Sequence, residues 1–395
     1  MSGTLISMYE NVSYALRLHG KAITLLQEQA ATGNRINRGS DDPADAYRVL
    51  ALNSQDRSLD SYKNVVIDLM GTLEISSTVL ADMTSELADA RTRLTQIVGG
   101  IYDAESQKRL AEHLNETLEH LVSLASTEHA NQYLFGGEDS ASAPYSVERD
   151  GGLIARVVYQ GSSETRKIDV APGLDVEAYH VGDNVFRSWN RGDPVFLGST
   201  GAAAGTGTSN VRGDVWLTVD HDGTNYRISI DDGETFVMVP TGGDPNQAVT
   251  DSRTGKVLYV DTTAISSTGI EPVRVPGTYD VFGTLISLRD MLLNGRGLPE
   301  RELIAYVDQC VAAVEEVRER VVQADVATGS KIGFLNTLKG NLENMQFDTQ
   351  DAAAELQEAD IAQIAIDLSR REVLYEMSLS VAGKLMSTSL LDFIR

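Results

Sequence analysis

The chain of 395 residues is poor in the features that announce an enzyme, a secreted disulfide scaffold or a nucleic-acid binder. It has one cysteine, Cys310, which excludes an intrachain disulfide and any cysteine-built zinc site. Aromatic residues make up 6% of the chain, with two tryptophans, which is thin for one large globular core and better suited to an extended shape. Basic residues are scarce: 33 Lys and Arg stand against 57 Asp and Glu, a net charge of −24. Nucleic acid and anionic membranes both require a dense basic surface, so neither is expected as a partner. There is no run of 18 uninterrupted apolar residues, so no membrane-crossing helix is expected. The start, MSGTLISMYENVSYALRLHGK, has neither the basic region nor the apolar core of a signal peptide.

Catalytic motifs are absent too. There is no GxxxxGK[ST], GxSxG or HExxH. His113, His120 and His129 fall in a stretch read as one helix, about Ala104 to Ala130. The first two are separated by about 10.5 Å along a helix axis, too far to share an ion. Asp220-His221-Asp222-Gly223 reads as a hairpin turn, lacking the ligands of a calcium loop. The two Arg-Gly-Asp triplets, at Arg191 and Arg212, leave an adhesin as an alternative of another class. No catalytic residue, cofactor or metal ligand is predicted.

What is present is a division by helix breakers. Of 34 glycines, 23 lie between Gly136 and Gly297, and seven of nine prolines lie between Pro144 and Pro276. Two helical arms around a β-rich insert follow. In the first arm Leu5, Met8, Val12, Ala15, His19, Ile23, Leu26 and Ala30 form a coiled-coil-like seam with one polar misfit, His19, and Leu16 adjoins it. Gly33 stops this helix, and Asp41-Asp42-Pro43 opens the next, predicted to run to about Val98. In the last arm Leu303, Val307, Cys310, Val314, Val317, Val321 and Ala324 alternate steps of four and three, continuing through Leu335, Leu338, Leu342 and Met345 despite Gly329, Gly333 and Gly340. A final helix from about Asp360 carries Ile361, Ile364, Leu368, Tyr375, Leu379, Ala382 and Leu385. It ends in the apolar cluster Leu390, Leu391, Phe393 and Ile394.

The fold expected is mainly α with a β-rich insert: an antiparallel helical rod from both arms, with coiled-coil-like termini and a central antiparallel β domain. Residues 1–38 and 360–395 are assigned to the terminal helices, 39–142 and 278–359 to the rod, and 143–277 to the insert. Within the insert, 216–219, 226–230 and 236–239 read as strands, Leu153–Tyr159 and Arg166–Val170 as a further pair, and Gly198–Asn210 as a flexible loop.

Three stretches carry more than periodicity. Gln27 to Ala46 (QEQAATGNRINRGSDDPADA) resembles the N-terminal signature of the bacterial flagellin family. Asn131-Gln132-Tyr133-Leu134-Phe135-Gly136-Gly137 and the segment from Ala359 to Ile394 are similar to the hook–filament junction proteins of that family. The first residues match the usual start of flagellin poorly, and the resemblance does not extend over the β insert. It implies a non-enzymatic structural protein of the flagellum, exported without a cleaved signal peptide and located outside the cell. Its partners would be its own copies in a ring, hook-associated protein 1, flagellin and an export chaperone. Filament flagellin is the alternative within the family. The assembly interface expected comprises Leu5, Met8, Val12, Leu16, Ile23 and Leu26, the joint residues Arg35, Arg38, Asp41 and Asp42, and Leu379, Leu385, Leu390, Leu391, Phe393 and Ile394.

Overall fold

The computed structural model describes residues 2–98, 104–297 and 300–393. Helix α1 spans Ser2–Thr32, α2 Pro43–Val98 and α3 Ala104–Ala125. Strands β1 (Glu128–His129) and β2 (Gln132–Tyr133) form a small hairpin. Strands β3 (Tyr145–Asp150), β4 (Leu153–Tyr159), β5 (Lys167–Ala171) and β6 (Leu174–Glu177) follow, then the single-turn α4 (Gly182–Phe186). Next come β7 (Val195–Phe196), β8 (Ala203–Ala204), β9 (Gly213–His221), β10 (Tyr226–Ser229), β11 (Val237–Met238), β12 (Gln247–Thr250), β13 (Val257–Asp261) and β14 (Gly269–Val275). The chain returns to helix in α5 (Val281–Leu293), α6 (Glu300–Gln357) and α7 (Ile361–Phe393). Mainly α with a central antiparallel β region is therefore the observed class.

The chain forms two compact units. The first combines residues up to Val65 with those from Thr337 onward, and the second covers Val66–Asn336. In the first unit α2 and α6 run antiparallel, as Asp56 bonds Gln350 and Lys63 bonds Gln346, each at 2.8 Å. Val49, Leu59, Leu342 and Ala353 are buried there.

In the second unit one core joins α2, α3, α5 and α6. Leu80, Leu87 and Leu94 of α2, Leu114, Leu118 and Leu121 of α3, Leu285 and Leu288 of α5, and Val307, Cys310, Val314 and Val321 of α6 all lie within it. Gly329, Gly333 and Gly340 do not interrupt α6. By length and mean hydropathy α2 is apolar enough to cross a membrane, its most apolar window reaching 1.3, a property that the search for uninterrupted apolar runs does not register. Leu69, Leu73, Leu80, Met83 and Leu87 of this helix are buried within the protein.

A five-stranded sheet, β11-β10-β9-β14-β7, and a three-stranded sheet, β12-β13-β8, share a second core of Leu217, Val219, Ile228, Leu258, Val260, Val273 and Val275. All strand pairs are antiparallel. Three expectations are corrected. First, β4 pairs with β3 and β5 with β6, not β4 with β5. The turns at Gly151-Gly152 and Pro172-Gly173 close two separate hairpins, and local closure is the shorter connection. Second, α3 stops at Ala125, and Ala130 and Asn131, at left-handed φ values of 50° and 60°, turn β1 into β2. His129 accordingly lies on a strand, off the helix of His113 and His120. Third, Gly198–Asn210 is packed rather than a flexible linker. It contributes β8, buries Thr200 and Ser209, and holds Gly201 at φ +96°, where an added Cβ would lie 2.1 Å from the Ala264 carbonyl oxygen.

The FGG segment is the turning point between helix and sheet. Phe135 is fully buried, 4.9 Å from the Phe186 ring and 5.9 Å from that of His180. The His180 Nε2 lies 3.2 Å from Thr328 Oγ1 on α6. Burial lowers the His180 imidazole to about 4. Its folded value lies below the ordinary value near 6.5, so the unfolded chain binds the proton more readily. The stability is present above that ordinary value and is lost as pH falls towards about 4, by roughly 3 kcal/mol in all. Urea unfolding at roughly pH 7.5 and roughly pH 4.5 checks this: His180→Phe is expected to lose about 2–3 kcal/mol less than the parent chain over that interval. Equal losses would contradict it.

Candidate assembly interface

The terminal helices of the first unit are tied together at their breaks. Gly33 takes φ +72° and ends α1. Asn34 forms a β-bridge with Glu358, flanked by Arg35 N–H to Gln357 O at 2.7 Å and Ala359 N–H to Gly33 O at 2.9 Å. Both interhelical breaks thus satisfy each other's backbone groups, which the helix ends leave orphaned. Asp42 Oδ1 accepts from Asp45 N–H at 3.2 Å to cap α2, and Asp360 Oδ1 accepts from Gln363 N–H at 3.0 Å to cap α7.

The four charged joint residues are engaged within the chain. Arg35 forks onto Asp42 at 3.1 Å and Asp45 at 2.7 Å and also donates to Leu356 O at 3.1 Å. Arg38 pairs with Glu28 at 3.1 Å. Asp41 Oδ2 accepts from the backbone N–H groups of Asn37 and Arg38 at 3.1 and 2.8 Å. The Asp45 N–H and the Arg35 guanidinium hold the Asp42 carboxyl below its usual value. Hydrogen bonds to Asp45 and Asp42 raise that of Arg35. These pairs are exposed to water and screened by it, so this joint is a geometric device more than a reservoir of stability.

Helices α1 and α7 pack along one another. Val12, Leu16, Ile23 and Leu26 are half-buried, as are Leu368 and Tyr375, and Ile364 is buried. His19, the polar misfit of the seam, sits with Nδ1 3.4 Å from Arg371 Nη1 on α7 and accepts from it. Leu379 is exposed. The side chains of Leu5, Met8, Leu385, Leu390, Leu391 and Phe393, and the whole of Ile394, lie outside the described residues.

A second apolar face remains uncovered. On α1 it holds Tyr14 (67% exposed), Leu18 and Leu25. On α7 it holds Ile366 (62%), Val373 (54%), Leu374, Met377 (61%) and Val381. Between the helices runs a groove of about 430 Å³ lined by Ala22, Leu25, Leu26 and Leu374, with Asp367, Arg370 and Arg371 at its polar edge. An exposed apolar surface of this extent marks an interaction site. Seam reasoning missed these residues because it retained one stripe per helix. A second was readable in the spacings of Tyr14, Leu18 and Leu25, and of Ile366, Val373 and Met377.

The other candidate chemistry is structural. Among the described residues no group of three or more His, Cys, Asp or Glu side chains could hold a metal ion. Burial pushes the Cys310 thiol well up. The arginines of both Arg-Gly-Asp triplets and the aspartate of the second are tied into the fold, while Asp193 of the first is exposed. Arg191 donates to Ser209 O and Val211 O at 2.9 and 2.7 Å, and Arg212 covers the Trp189 ring at 4.7 Å. The carboxylate of Asp214 is 2% exposed and bonded to Arg274 at 2.9 Å.

The bacterial flagellin N-terminal helical region matches residues 6–140. Flagellar hook-associated protein 3 of Escherichia coli K12 is 25% identical over 162 residues, 41% of this chain and 49% of that protein. The N-terminal arm of the chain is thus similar to that of the bacterial flagellin family. Its similarity within that family is to hook-associated protein 3. The namesake from Salmonella typhimurium LT2 is 26% identical over 166 residues, 41% of this chain and 50% of that protein. The matches therefore span about half the length of these relatives. The fold is shared with hook-associated protein 3 from Legionella pneumophila (TM-score 0.52, 18% identity, covering 78% of this chain and 97% of that one). It is shared also with a putative flagellar hook-associated protein from Vibrio parahaemolyticus (TM-score 0.52, 13% identity, covering 80% and 100%).

Proposed function

We propose that this chain is a structural, non-enzymatic subunit of the bacterial flagellum that joins the hook to the filament. The observation that carries this reading is the uncovered apolar face of α1 and α7, on the terminal helices of a flagellin-like fold. An isolated helix pair gains little from propensity alone, so such a face is completed by neighbours. In this reading residues 1–38 and 360–395 pack as the inner tube and 39–142 and 278–359 form the rod, with 143–277 facing outward. The partners are further copies in a ring, hook-associated protein 1 on one side and flagellin on the other. The subunit is exported through the flagellar apparatus to the cell exterior, with its terminal helices shielded by a chaperone beforehand. The test is deletion with imaging and complementation: cells lacking the chain should carry hooks without filaments and release flagellin into the medium. Filaments of normal number and length in the deletion strain would overturn the proposal.

A further inference from the structure

A cavity of about 420 Å³ opens in the second unit between β4, the end of α4, the turn before β13 and the first turns of α5. Three cations converge on it: Arg156, Arg187 and Lys256. Of its two carboxylates, Asp183 is held by Arg187 Nη1 at 2.7 Å, and Asp280 caps α5 by accepting from Gly283 N–H at 2.7 Å. Arg187 Nε is buried without a hydrogen-bond partner among the described residues. Arg156, at the mouth, reaches Glu148 only at 4.0 Å. Lys256 is half-buried, and burial together with Arg212, Arg187 and Arg156 lowers its ammonium against the smaller pull of Asp280.

A chain of net charge −24 has few cations to spare, yet here it gathers three around one cavity with a fourth adjoining. Like charges at close range repel unless an anion lies among them. The terminal guanidinium N–H groups of Arg156 and Arg187 and the Lys256 ammonium suit the oxygens of phosphate or carboxylate. We propose that this cavity binds a compact oxyanion, a phosphate monoester or a small carboxylate, between Lys256 and Arg187 with Arg156 at the mouth. The site belongs to the second unit and does not depend on the assembly role.

The experiment uses the full chain, titrated with inorganic phosphate and separately with citrate, against sodium chloride of matched ionic strength. Binding is read by equilibrium dialysis and by melting temperature. Saturable binding is expected, weakened about tenfold by Lys256→Gln or Arg187→Gln, as loss of a hydrogen bond to a charged group implies. Lys108→Gln, an equal charge change on exposed α3, should leave it unaltered. Without added anion, Lys256→Gln should melt no lower than the parent, because it relieves the repulsion. If Arg187→Gln fails to fold, Arg156→Gln, which alters an exposed side chain, supplies the second variant and should also weaken binding. Tighter binding of phosphate assigns a phosphate ligand, and tighter binding of citrate a carboxylate. Stabilisation no greater than that by chloride, or binding undiminished by Lys256→Gln, would overturn the proposal.

Discussion

Replacing Val373 and Met377 together with aspartate is expected to abolish stable incorporation into the flagellum while leaving the free chain folded. Both side chains are more than half exposed, at 54% and 61%, so charges there meet water in the free subunit. Exposed substitutions of this kind usually move stability within about 0.5 kcal/mol. In the assembly the same positions would be covered. Each lost apolar side chain then costs roughly 1.5–3 kcal/mol, and each carboxylate taken from water adds its own desolvation cost. The sum exceeds about 4 kcal/mol per subunit, on the order of a thousandfold in association. The readouts are filament attachment in cells and the melting curve of the purified variant. Normal filaments, or a collapse of the monomer's melting temperature, would remove this face from the account.

The second large effect concerns the buried pair between β9 and β14. Asp214 and Arg274 are 2% and 3% exposed and 2.9 Å apart. Burial raises the Asp214 carboxyl, and the adjacent guanidinium offsets this only in part. Burial alone would lower the Arg274 guanidinium, but Asp214 together with Cys310, Tyr279 and Tyr306 outweighs it and raises it. Arg274 also lies 5.1 Å from the ring centroids of both Tyr279 and Tyr306, the latter on α6. The pair therefore joins the larger sheet to a helix. Arg274→Leu would leave a carboxylate buried with no cation, a loss of about 3–5 kcal/mol. The double variant Arg274→Leu/Asp214→Leu should recover most of it, since no charge is then stranded. Denaturant unfolding of the two variants decides. A single variant as mild as removal of the exposed Arg149–Glu119 pair would contradict the assignment.

How much of this was readable from the residues depended on how local the cause was. Asp42-Pro43 marks the start of α2 because capping is decided within one turn. Helix α6 ran through Gly329, Gly333 and Gly340, where an added Cβ would meet open space, and packing at Val321, Leu335 and Leu342 outweighs their poor propensity. The pairing of β4 with β3 is closed locally at Gly151-Gly152, whereas the packing of Gly198–Asn210 depends on partners distant in sequence, such as Tyr259 and Glu271. Composition sees only a run of small residues there. Arg35 and Arg38 were expected to serve an interface, and within the chain they pair with Asp42, Asp45 and Glu28. Nothing in a linear pattern separates an arginine that closes its own joint from one that reaches a neighbour. The exposed stripe from Ile366 to Val381 was present in the spacing but was hidden behind the stronger seam of the same helix.

The central claim is that the outward face of α1 and α7 is where copies of this chain meet. Cys310, the sole native thiol, is buried, so a cysteine introduced on the surface reports alone. Met377→Cys and Tyr14→Cys variants, oxidised in intact flagella, should yield cross-links between copies, whereas Met238→Cys on β11, also exposed, should yield none. Cross-links confined to Met238→Cys, with the helical positions unreactive towards one another, would contradict it.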